Sequence, residues 1–152
     1  MKYIVTGGAG FIGSNIVKKL VFRGDHVTVI DNLKTGKESN LISVKDKIVF
    51  LKDSILNLDL LEKHTQNIDG VFHQAALASV QDSFSKPKEY HNVNVNGTEN
   101  IFKLAKKYNF KVVYASSSSV YGNPEKIPIK ESDSKNPINP YAETKLEKEK
   151  LA

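Results

Sequence analysis

Residues 6–13 read Thr6-Gly7-Gly8-Ala9-Gly10-Phe11-Ile12-Gly13, and their setting decides the fold. The apolar run Tyr3-Ile4-Val5 precedes them and reads as a buried strand over residues 3–6. Over residues 11–22, Phe11, Ile12, Ile16, Val17, Leu20 and Val21 recur at helical spacing, and Gly24 stops the helix. Strand, glycine-rich turn and helix, in that order, form the context in which a glycine motif binds a dinucleotide. In the spacing Gly7-x-x-Gly10-x-x-Gly13, a Cβ at Gly7 or Gly10 would obstruct the turn, or the approach of a pyrophosphate to the amides at the positive end of the helix. Gly13 lets the helix lie close to the strand. Taken alone, the same glycines would also serve an ordinary tight turn.

Downstream the alternation continues. Strands are predicted over 26–30, 48–51, 71–73 and 111–115, and helices over 58–64 and 89–108. A last helix opens at Asn139-Pro140, where Asn caps the start and Pro occupies the first helical position. Residues 32–40 read as a polar loop, 78–87 as a loop or broken helix, and 116–137 as a long loop holding most of the prolines. Strands that alternate with helices need crossover connections. The expected architecture is therefore α/β, a doubly wound parallel sheet of the Rossmann type with strand order 3-2-1-4-5. A length of 152 residues suits one domain, here residues 1–152.

Composition narrows the function classes. Hydrophobic residues make up 39% and charged residues 26%, which suits a globular chain rather than a disordered one. With no cysteine, disulfides and cysteine-held metals are excluded, and a reducing, cytoplasmic setting fits. Met1-Lys2-Tyr3 leads almost directly into the glycines, so no leader peptide is expected. No uninterrupted apolar run reaches about 18 residues, so no membrane span is expected. The net charge of +5 is dispersed, with lysines interleaved with acids as in residues 145–150; this describes solvated helix faces and not a nucleic-acid surface. Such a field would still draw in an anionic nucleotide. His26, His64, His73 and His91 show no metal-ligand spacing, so no metal is expected.

Candidate site residues follow from the strand ends. Asp31 ends the second strand, where a carboxylate accepts from both ribose hydroxyls and repels a 2′-phosphate, favouring NAD over NADP; a turn or capping aspartate is the alternative. Asp53 ends the third strand in the same manner and could accept from an adenine amino group, with a plain strand-end turn as the alternative. His73 reads as a packed core residue, and Ala75-Ala76 beyond it suggest close backbone approach to a cofactor. Tyr141-Ala142-Glu143-Thr144-Lys145 places a phenol and an ammonium one helical turn apart. An ammonium beside a phenol favours the phenolate, making Tyr141 a candidate general base, although a bare Tyr-x-x-x-Lys also arises on surface helices. The fifth strand runs into Ser116-Ser117-Ser118-Ser119, a polar loop or a hydroxyl donor at a strand carboxyl end, where ligands bind in this fold.

Together the stretches TGGAGFIGS, VIDNLKTG, KDS, HQAALASV, NVNVNGT, SSSSVYG and NPYAETK resemble the extended short-chain dehydrogenase/reductase family across the whole chain. Within that family the chain looks most like NAD-dependent UDP-sugar 4-epimerases of the UDP-glucose 4-epimerase type. The resemblance implies that Gly7, Gly10, Phe11, Ile12 and Gly13 face the pyrophosphate of NAD. It implies that Asp31 and Asn32 hold the adenosine ribose, that Asp53 and Ser54 hold the adenine, and that Ala75 and Ala76 line the nicotinamide. Ser117, five residues before Gly122, matches the catalytic Ser/Thr, and Tyr141 and Lys145 match the base and its activator, both also touching the cofactor. Related 4,6-dehydratases carry an Asp-Glu pair where this chain has Ser118 and Ser119, so dehydration is not expected. The resemblance implies about twice this length and a homodimer formed by the last helix with the helix over 89–108, so the substrate domain is expected to be absent, the last helix cut short, and turnover by these residues alone low. A non-catalytic NAD-binding module, a uronic-acid epimerase and a reductase are the alternatives.

Overall fold

Ile4 and Val5 are consecutive in a strand and therefore point to opposite faces, yet both are buried. A sheet covered by helices on both sides is what this requires. In the computed structural model, which describes residues 1–152, five strands form one parallel sheet: β1 (Lys2–Thr6), β2 (His26–Ile30), β3 (Ile48–Leu51), β4 (Gly70–His73) and β5 (Lys111–Tyr114). Their order is β3-β2-β1-β4-β5, as the alternation of elements predicts. The helices are α1 (Phe11–Phe22), α2 (Leu58–Thr65), α3 (Val80–Ser85), α4 (Pro87–His91), α5 (Gly97–Tyr108) and α6 (Pro140–Leu151).

The chain comprises two compact units. The first, Met1–Ala76 with Asn100–Ala115, contains the sheet. On one face Val17 and Leu20 of α1, with Leu41 and Val44, pack against Val5, Val27 and Val29. On the other, Leu61 of α2 and Ile101 and Leu104 of α5 pack against Ile4, Ile30 and Val71. The register sets Thr6 beside Ile30 on one side and His73 on the other, so the carboxyl ends of β1, β2 and β4 come level. That edge is where a doubly wound sheet receives a ligand.

The second unit, Leu77–Glu99 with Ser116–Ala152, is helical, and Tyr90, Val95, Val120 and Ala142 are buried. Two stretches differ from expectation, and a third takes the broken-helix form of its two readings. The polar loop leads into a 3₁₀ helix, Glu38–Lys47, because Leu41 and Val44, three residues apart, share one side of a three-residue turn and are both buried. Residues 78–87 contain α3, capped by the Ser79 hydroxyl, which accepts from the Asp82 amide at 3.2 Å. The single helix expected over 89–108 instead starts as α4, with Pro87 in its first turn, and passes through a π-helical turn, Asn92–Asn96, into α5. No helix is long and apolar enough to cross a membrane.

Leu61 is fully buried against both the sheet and α5. Leu61→Ala is expected to cost about 2–5 kcal/mol in chemical denaturation, while Leu61→Met should cost under about 1.5 kcal/mol.

Candidate functional site

In the first unit the chain leaves β1 by a sharp turn. Gly7 adopts φ +66°, and a Cβ there would lie 2.6 Å from the Ala75 amide nitrogen. Only glycine fits, because the backbone is left-handed and the exit of β4 closes over it. Thr6 fastens that exit: its hydroxyl lies 2.7 Å from His73 Nδ1 and accepts from the Ala75 amide at 3.3 Å, and its carbonyl accepts from the Gln74 amide at 3.0 Å. His73 is thus a buried packing residue of the kind its sequence setting suggested, and Ala75 is held against the glycine turn. A Cβ at Gly13 would meet the Gly7 carbonyl oxygen at 2.2 Å, so α1 can seat its first turn only because residue 13 has none. Phe11 and Ile12 begin that turn, with 84% and 58% of their surfaces exposed. The first amides of a helix lack intrahelical partners, so this end presents donors and partial positive charge beside two bare apolar side chains.

Asp31 follows β2 and is buried beside the glycine turn. Its Oδ2 accepts from the Ala9 amide at 2.9 Å and its Oδ1 from the Leu33 amide at 2.8 Å. Each oxygen keeps a further lone pair for a hydroxyl. The segment after it folds back over the same turn: the Ala9 carbonyl accepts from the Lys37 amide at 3.0 Å and Asn40 Nδ2 at 2.8 Å. Gly36 makes this possible, since a Cβ there would come within 3.0 Å of Asp31 Oδ2 and Ala9. Sequence reasoning singled out neither Gly36 nor Asn40, whose contacts are long-range. Asn32 is turned to local use, its Oδ1 accepting from the Lys34 amide at 3.1 Å. Asp53 lies two residues beyond the end of β3, not at its end. Its oxygens accept from the Ser54 amide at 2.6 Å and Asn57 Nδ2 at 2.9 Å, which is the strand-end turn considered as its alternative role.

In the second unit α6 starts where Asn139 accepts from the Ala142 amide at 2.8 Å, and it places Lys145 Nζ 5.6 Å from the centre of the Tyr141 ring. The π-helical turn holds this helix from behind. Buried Asn94 accepts from the Leu77 amide at 2.8 Å and donates to the Leu77 carbonyl and to Thr144 Oγ1, each at 3.0 Å. Thr144 in turn donates to the Tyr141 carbonyl at 2.7 Å. Asn94 therefore fixes the turn carrying Tyr141 and Lys145. Its role escaped sequence reasoning because a helix-interior Asn gives no signal until the helix bulges, and π-bulges are frequent at functional sites. Ser117 caps the 3₁₀ turn Ser118–Tyr121, accepting from the Ser119 amide at 3.2 Å and the Ser119 hydroxyl at 2.9 Å. With both lone pairs engaged, the Ser117 hydroxyl is left to donate.

Two lysines of α6 are buried, Lys145 at 4% and Lys148 at 1% exposure. Burial lowers the Lys145 ammonium from 10.5 to about 8, and burial together with the nearby Lys145 charge lowers Lys148 to about 7. The unfolded chain thus binds more protons than the folded one between about pH 7 and 10.5, so stability rises with pH across that window and the penalty is complete below it. Lys148→Met keeps the packing and removes the charge. It is expected to flatten the rise of Tm from neutral toward alkaline pH, a slope in which each kcal/mol amounts to about 2–4 °C. Calorimetry at several pH values would show this; an unchanged slope would contradict it.

Comparison with known proteins fits this geometry. A family model described as the NAD dependent epimerase/dehydratase family matches residues 3–152. A UDP-glucose 4-epimerase of Lactobacillus helveticus is 41% identical over 99% of this chain and 46% of its own length. Among solved structures, a UDP-N-acetylglucosamine 4-epimerase from Methanobrevibacter ruminantium M1, in complex with UDP-N-acetylmuramic acid, superposes with a TM-score of 0.91 at 42% identity, covering 97% of this chain and 48% of that one. DesIV, a dTDP-glucose 4,6-dehydratase from Streptomyces venezuelae with NAD and TYD bound, superposes with a TM-score of 0.94 at 31% identity, covering 99% of this chain and 50% of that one. The chain spans about half the length of the relatives it matches. With the match running through both units, from the glycine turn to the tyrosine–lysine helix, the chain belongs to the NAD dependent epimerase/dehydratase family.

Proposed function

We propose that this chain carries the cofactor-binding and proton-transfer part of an NAD-dependent UDP-sugar 4-epimerase. The observation that carries the reading is α6, where a buried lysine ammonium lies over the ring of Tyr141 in a chain 41% identical to a UDP-glucose 4-epimerase. The residues fit NAD. The glycine turn leaves no room for a Cβ at Gly7, and Gly10, Phe11, Ile12 and Gly13 bring helix-start amides to a pyrophosphate. Asp31, with lone pairs to spare, takes the ribose hydroxyls and disfavours a 2′-phosphate. Asn32, Asp53 and Ser54 border the adenosine, and Ala75 and Ala76 the nicotinamide.

The chemistry supplied by bound NAD is the reversible acceptance of two electrons with the hydrogen of sugar C4. Tyr141, as phenolate, takes the C4 hydroxyl proton and later returns it. Lys145 sets its ammonium beside the Tyr141 ring, and Ser117 donates its hydrogen bond to the sugar oxygen as negative charge develops there. Return of the C4 hydrogen to the opposite face of the sugar inverts the carbon. Serines at positions 118 and 119 offer no carboxyl acid for expelling water, which favours epimerisation over dehydration.

The test has two parts. The 152-residue chain should bind NAD⁺ in calorimetric titration, Gly13→Val should abolish binding, and Asp31→Ser should narrow the preference for NAD⁺ over NADP⁺. Any interconversion of UDP-galactose and UDP-glucose should fall by at least about a hundredfold in Tyr141→Phe. Failure to bind NAD⁺, or turnover indifferent to Tyr141→Phe, would overturn the reading.

A further inference from the structure

The serine segment and α6 each contribute to the proposed chemistry, and a further side chain of α6 links them. Glu149 lies two turns beyond Tyr141 on α6, its side chain 22% exposed. Its Oε1 accepts from the hydroxyl of Ser116, the residue before Ser117, and its Oε2 lies 2.6 Å from Lys135 Nζ. Burial pushes this carboxyl up, but the Lys135 ammonium and the Ser116 hydroxyl outweigh burial and hold it below the usual carboxylate range. It is thus a carboxylate, acceptor-only, at neutral pH. Ser117 and Glu149 line one open depression of about 580 Å³, together with Tyr121 and Lys135.

Resting on the epimerase reading, we infer that Glu149 is a positioning residue that fixes the Ser117 hydroxyl relative to α6 by anchoring Ser116. The argument is one of constraint. The 3₁₀ turn Ser118–Tyr121 is held internally by short-range bonds: Ser119 amide to Ser117 hydroxyl, Val120 amide to Ser117 carbonyl and Gly122 amide to Ser119 carbonyl. Those bonds shape the turn but do not locate it. A charge-assisted bond from Ser116 to the helix bearing Tyr141 and Lys145 does, and Lys135 keeps the carboxylate ionised and in place. Misplacement of a reacting group by about 1 Å can cost a hundredfold in rate, so such an anchor acts on turnover rather than on binding.

The coupling can be measured without turnover. In the full 152-residue chain, amide hydrogen exchange at residues 119, 120 and 122 is expected to quicken to the same extent in Ser116→Ala, in Glu149→Ala and in the double variant, because each removes the Ser116–Glu149 bond that locates the turn. Glu149→Gln keeps an acceptor oxygen for Ser116 and should restore slow exchange. Where UDP-sugar turnover is measurable, Glu149→Ala should lower kcat about tenfold with KM and NAD⁺ affinity within about twofold of the parent, and Glu149→Gln should recover most of it. Unchanged exchange in Glu149→Ala, additive effects of the two single changes, or loss of NAD⁺ affinity in place of kcat would overturn the proposal. A parent chain that fails to bind NAD⁺ but keeps the exchange coupling would sink the epimerase reading and leave the anchor standing.

Discussion

The structure of the first unit turns on one close approach, that of the Gly7 backbone to the chain leaving β4. There is no space between them for a methyl group, and the left-handed backbone at Gly7 would strain any other residue. From this contact the rest is set. Thr6 can reach His73 and Ala75 only because the turn is this tight, and Gly13 brings α1 onto the same carbonyl. The amides at the helix start then open toward the edge of the sheet where three strands end level. The loop after Asp31 closes on the other side of the turn through the Ala9 carbonyl.

In the second unit the corresponding constraint is electrostatic. Placing two ammonium groups in the interior of one helix is costly, and the cost appears as easier deprotonation of Lys145 and Lys148. Lys145 serves the proposed chemistry. Lys148 is buried close enough to Lys145 for the two charges to repel, and that repulsion adds to the cost of burial. The neighbouring Asn94 is the opposite case, a buried polar side chain whose bonds to Leu77 and Thr144 give the helix a defined position.

Much of this was legible in the residues. The strand, glycine turn and helix of residues 2–22, the strand order, the Asn139 cap and the tyrosine–lysine spacing depend on local pattern, and local pattern is what a sequence displays. What stayed hidden depends on contacts between distant residues. Gly36 looked like an ordinary loop glycine until Asp31 and Ala9 closed on it. The 3₁₀ helix after the polar loop declares itself only when Leu41 and Val44 meet β-strand valines. The π-helical turn is invisible to helical periodicity, which reads straight through it. Glu149 belongs to a Lys–Glu run that resembles a solvated face, and its bond to Ser116 spans 33 residues.

The strand order carries a last implication for how the chain is made. β1 occupies the middle of the sheet, with β2 on one flank and β4 on the other, and its pairing with β4 joins Tyr3 to Gly70 and Thr6 to His73. During synthesis β1 emerges before β4 and keeps an open flank until residues 70–73 have also cleared the ribosome tunnel. Pairings so distant in sequence slow folding, and a strand with an uncovered edge is a template for association with other chains. The nascent protein is thus most vulnerable early in translation, and it is the arrival of residues 70–73 that ends that exposure.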